Sequence, residues 1–70
     1  MNKFVRAALR TAGCEAIPRD NGSYRININH IIAVYTDCGN TIAQVQFGVR
    51  VLEFTILDYS ITDLNKLTEN

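Results

Sequence analysis

Thr41-Ile42-Ala43-Gln44-Val45-Gln46-Phe47-Gly48-Val49-Arg50-Val51-Leu52-Glu53-Phe54-Thr55-Ile56-Leu57 is the stretch that decides the fold of this chain. From Thr41 to Phe47, Ala43, Val45 and Phe47 point one way and Gln44 and Gln46 the other. That period of two belongs to a strand with one buried face. Gly48-Val49 turns the chain, and Arg50 to Leu57 returns with Leu52, Phe54 and Ile56 on one side. The opposite side of the returning strand, Val51, Glu53, Thr55 and Leu57, is only half polar.

Downstream, Ser60-Ile61-Thr62-Asp63 fits a capping box, with Ser60 as N-cap and Asp63 three residues on. Asp63 in the first turn also suits the helix dipole. Ile61, Leu64 and Leu67 then share one helical stripe. A helix of about two turns depends on packing against the sheet for its existence.

Upstream, Asp37-Cys38-Gly39-Asn40 reads as a turn. His30 to Tyr35 is apolar throughout after the histidine, which predicts burial on both faces or a place at the domain centre. Tyr24 to Asn29 alternates cleanly, with Tyr24, Ile26 and Ile28 against Arg25, Asn27 and Asn29. The alternation is lost at Asn29-His30, where a kink or bulge is expected. Asn29 is expected to bond local backbone there. Asn21-Gly22 is a strong hairpin signal, because both turn positions accept positive φ, and it would set Cys14 to Ile17 against Tyr24 to Ile28. Lys3 to Arg10 reads two ways: a helix capped by Asn2 and ended by Gly13, or a strand with Val5, Ala7 and Leu9 on one face.

Composition bounds the rest. Seventy residues allow one domain, residues 1–70, and a domain of that size buries only about 60% of its unfolded surface. Apolar residues are 47% and charged residues 20% of the chain, an ordinary globular balance. No window approaches the roughly 18 apolar residues of a membrane span, and Met1 to Leu9 has no uninterrupted apolar core, so the expectation is a cytoplasmic protein. The fold class expected is mainly β with one short C-terminal helix (α+β), as a small antiparallel sheet or partly open barrel of about 4–5 strands.

From Arg25 to Leu67 the chain shows RINI-NHIIAV, an Asp/Gly/Asn turn, TIAQVQF, a glycine turn, VLEFTIL and the capped helix SITDLNKL. This order resembles the short FlbD-like bacterial proteins, in which a strand and loop of pattern I-x-[VL]-N-x-x-x-I precede a β-hairpin and a terminal helix. It also resembles the end of LytTR-type DNA-binding domains. The matching positions are Ile26, Ile28, Asn29, Ile32, Gly48 and the helix start near Asp58 to Ser60, over about two thirds of the chain. The resemblance implies a fold, and it favours the strand for residues 3–10. Residues 11–23 depart from the pattern as a longer excursion, and the base-reading loops of LytTR domains have no counterpart. The regulation of flagellar genes associated with FlbD-like proteins is therefore not carried over.

No catalytic constellation is found. His30 is the single histidine and has no identifiable orienting carboxylate or nucleophile. Cys14 and Cys38 are far apart and not in C-x-x-C spacing, so a disulfide, a zinc site and any other cofactor are not expected. The carboxylates Asp37, Glu53, Asp58 and Asp63 are dispersed, and the aromatic residues read as core and interface rather than as a stacking platform. No small-molecule substrate is evident.

Two functional readings remain. One short helix covers one sheet face only, yet Ile32 or Val34, Ile42, Val51 and Leu57 are expected on the other face. Contiguous exposed apolar surface marks an interface, and edge strands invite pairing. The first reading is thus a non-catalytic homo-oligomeric interaction module of a bacterial or phage-associated system. The second is a small nucleic-acid-binding regulator using Lys3, Arg6, Arg10, Arg25 and Arg50. Net charge is zero, which argues against a general nucleic-acid binder. However, residues 1–35 carry five cations against two anions (+3), and residues 36–70 the reverse (−3).

Overall fold

Pairing on both sides settles the first segment as a strand. In the computed structural model, which describes residues 3–10 and 22–68, Phe4–Leu9 forms β1. Its backbone bonds go to Tyr24–Asn27 (β2) on one flank and Arg50–Ile56 (β5) on the other. Ala7 sits opposite Tyr24 on one side and Ile56 on the other, and is fully buried. A helix over these residues would have left both neighbours as open edges. The strand expected over Cys14 to Ile17 lies outside the described residues.

The remaining strands follow from two tight turns. Ile31–Asp37 (β3) and Asn40–Phe47 (β4) flank Cys38-Gly39, whose φ values of 51° and 80° are those of a type I′ turn. Phe47 pairs with Arg50 across Gly48-Val49, where only Gly48 has positive φ, at 59°, as in a type II′ turn. The Gln46 side-chain amide closes that turn by donating to the Gly48 carbonyl at 2.6 Å.

All five strands form one antiparallel sheet in the order β2-β1-β5-β4-β3. The two edge strands, β2 and β3, are nevertheless consecutive in the chain. Only the 3₁₀ turn Ile28–His30 joins them. Four strand spacings in a flat sheet put the edges about 19 Å apart, whereas the four steps from Asn27 to Ile31 reach at most about 14 Å. The sheet is therefore strongly curled, with its edges drawn together but not bonded into a closed barrel. The kink expected at Asn29-His30 is this turn. The capping side chain is that of Asn27, whose Oδ1 accepts from the Asn29 backbone N–H at 2.9 Å.

The inner face holds the core: Val5, Ala7, Ile26, Ala43, Val45, Leu52, Phe54, Ile56 and Leu64. Phe54 is its centre, with Tyr24 edge-on at 5.5 Å and Phe47 tilted at 5.8 Å between ring centroids. Ile61–Thr68 (α1) closes this face against β3 and the 3₁₀ turn, with Leu64 fully buried. Its start is the predicted cap. The Ser60 hydroxyl accepts from the Asp63 N–H at 3.2 Å, and its carbonyl accepts from the Leu64 N–H at 2.8 Å.

The double burial expected for His30 to Tyr35 is corrected. β3 is an edge strand, Ile32 is 55% exposed and Ala33 is exposed. The register shifts between Ile31 and Ala33, so Ile32 is the extra residue of a bulge. An apolar run can mean burial on both faces or an edge with a bulge, and periodicity does not separate them.

Candidate functional site

The outer face of the sheet carries the polar and charged side chains of interest. Strand alternation assigns it Phe4, Arg6 and Ala8 from β1 with Arg10 just past its end, Arg25 from β2, and Val51, Glu53 and Thr55 from β5 with Leu57 just past its end. β4 adds Ile42, Gln44 and Gln46, and β3 adds Ala33, Tyr35 and Asp37.

At the centre of this face lies a polar network. The Tyr35 hydroxyl donates to Glu53 Oε2 at 2.8 Å, and the Gln44 amide donates to the same oxygen at 3.3 Å. Arg10 donates from Nη2 to Asp37 Oδ2 at 2.7 Å. The Tyr35 hydroxyl, then Gln44, holds the Glu53 carboxyl below the usual glutamate range. Arg10, helped by the Cys38 thiol, does the same for Asp37. Reciprocally, bonding to Glu53 raises the Tyr35 hydroxyl. Neither Asp37 nor Glu53 is thus a solitary solvated carboxylate. The signal for this was available: a two-residue turn at Gly48-Val49 forces Gln44 opposite Glu53.

These contacts correct one expectation. Ile42 is 1% exposed and so is no part of a free surface. It lies in register between Tyr35 and Thr55, beneath the two polar connections that cross β4. Val34 is half-buried and packs against the inner core. The other three positions are open: Ile32 at 55%, Val51 at 45% and Leu57 at 46% exposure. Val49, missed because it was read only as a turn residue, is 99% exposed. Ile32, Val49 and Val51 fall at the end of the sheet where β4 turns into β5, while Leu57 lies at the other end beside Arg6.

The five candidate cations do not form one cluster. Arg6 and Arg25 are direct cross-strand partners, and Arg25 sits over the Phe4 ring at 4.7 Å from its centroid. Lys3 is exposed one residue before β1. Arg10 is tied to Asp37, and Arg50 is exposed beside the Val49 turn at the opposite end. His30 is exposed at the end of the 3₁₀ turn.

Among the described residues no three of His, Cys, Asp and Glu are grouped as metal ligands, and no helix is long and apolar enough to cross a membrane. No family model, curated protein or solved structure matches the chain.

Proposed function

We propose that this chain is a non-catalytic interaction module that associates first with a second copy of itself. The observation that carries this reading is the apolar end of the sheet formed by Ile32, Val49 and Val51. Val49 contributes no burial to its own fold, and a β-branched residue is an unusual occupant of a hairpin turn dominated by Gly, Asn, Asp and Ser. Three exposed branched aliphatics at one end of so small a molecule are better accounted for by a partner surface than by packing. Among the described residues β3 is an edge strand, and its bulge at Ile32 falls at the same end.

The test is a paired substitution at positions that the folded monomer does not need. Val49→Lys with Val51→Lys should keep the sheet's circular-dichroism signature and its thermal midpoint, and should weaken self-association at least tenfold in sedimentation velocity. Unchanged association in the folded variant would remove this end of the sheet from the interface.

A further inference from the structure

We propose that the outer face of β2, β1 and β5 binds single-stranded nucleic acid, with the Arg6–Arg25 pair taking its phosphates. Arg6 and Arg25 stand directly opposite one another in the antiparallel β1–β2 ladder, a position where like charges destabilise the sheet. Nothing on their own strands relieves this. From Lys3 to Arg10 and from Gly22 to Thr36 there is no Asp or Glu. Asp37 at the β3 turn is held by Arg10, and Glu53 on the same face is held by Tyr35 and Gln44. Arg6 makes no ion pair or side-chain hydrogen bond among the described residues. The site is thus a repulsive pair that an anion would bridge.

The flanking groups choose among anions. Arg25 is exposed and its guanidinium carbon lies 4.7 Å from the Phe4 ring centroid, so a cation and an aromatic ring are held side by side on this face. Guanidinium planes and aromatic rings on an open sheet are what unpaired bases stack on. Leu57, nearly half exposed, adjoins Arg6 through the hydrogen bond from its N–H to the Arg6 carbonyl at 2.9 Å. Phe4 and Leu57 together are too little apolar surface to anchor a membrane. An extended strand that offers both phosphates and bases matches the outer positions of β1, where Phe4, Arg6, Ala8 and the following Arg10 alternate apolar side chains with cations. This inference uses none of Ile32, Val49 and Val51, so it and self-association are tested by separate substitutions.

The experiment is fluorescence anisotropy with a labelled oligothymidylate of about 12 nucleotides, within the span of a small single-strand site, and with anionic phosphatidylserine vesicles in parallel. Two phosphate contacts predict a salt slope of about −1.4, hence an affinity loss of about sevenfold between 50 and 200 mM salt. Arg6→Gln with Arg25→Gln should flatten that slope and weaken binding at low salt at least fivefold. The same variant should melt at or above the parent temperature, because it removes a like-charge pair. Lys66→Gln, on α1 away from this face, should leave binding unchanged. Absence of binding, binding that the double variant retains, or binding to vesicles without oligonucleotide would each overturn the proposal.

Discussion

The hydroxyl of Tyr35 donates to the carboxylate of Glu53 at 2.8 Å, and the bond crosses strand β4, which separates the two residues. It links β3 to β5 without using the backbone ladder. The bond lowers the Glu53 carboxyl and raises the Tyr35 hydroxyl. A depressed carboxylate stabilises the fold above its unfolded value, near 4.3, and that contribution is lost as pH falls through the lower folded value. A raised tyrosine stabilises below about 10 and is lost as pH rises through the higher folded value. Tyr35→Phe should therefore shallow the fall in stability at both the acid and the alkaline end. Urea midpoints from about pH 6 down to 3 and from about 9 up to 11 measure this. Limbs identical to the parent's would show that the bond does not persist in solution.

Asp37 contributes to the same acid limb with the same sign, since Arg10 holds its carboxyl low. Arg10→Gln should remove part of the acid limb. This effect should fade in high salt, because the pair is exposed and screened. Equal effects at low and high salt would contradict an exposed ion pair.

Much of this architecture was legible in the sequence. The period of two in Thr41 to Phe47 and Arg50 to Leu57, and the turn between them, specified the β4–β5 pair and its inner face, Ala43, Val45, Leu52, Phe54 and Ile56. Ser60 as the cap and Leu64 as the helix anchor follow from local chemistry and stand where expected. What periodicity does not carry is strand order. Ile31 to Tyr35 looks central because it is apolar, yet it is an edge. Its neighbour was decided by the three-residue link to β2 and by the curl of the whole sheet. Ile42 has the alternation of an exposed residue and is buried, on a face where the Tyr35–Glu53 bond and the Arg10–Asp37 pair span its strand. The outer-face network was half legible: the Gln44–Glu53 register could be counted, but Arg10 reaching Asp37 depends on strand order.

The core should be intolerant of truncation at its centre. Phe54 is fully buried and touches rings on two sides. Phe54→Ala should cost about 3–5 kcal/mol, enough to unfold a domain of this size near room temperature. Leu64→Ala should cost about 2–5 kcal/mol, and its first sign should be loss of helical signal, since Leu64 is the one fully buried residue of α1. A folded Phe54→Ala protein with the parent's denaturant midpoint would refute the placement of the core.

The β3–β4 turn makes an opposite-signed pair of predictions. Gly39 has φ of 80°, so Gly39→Ala should destabilise by about 1 kcal/mol or more. Cys38 has φ of 51°, a conformation that Asn adopts more readily. Cys38→Asn creates the preferred Asn-Gly pair of a type I′ turn and should raise the thermal midpoint. A lower midpoint for Cys38→Asn would argue that the thiol's contact with Asp37 outweighs the backbone preference.

Self-association is the central claim, and the molecular mass in solution tests it most directly. Sedimentation equilibrium across micromolar concentrations should give a mass that is a multiple of the 7.9 kDa chain and that falls toward one chain on dilution. A single species at the mass of one chain throughout that range would contradict the account.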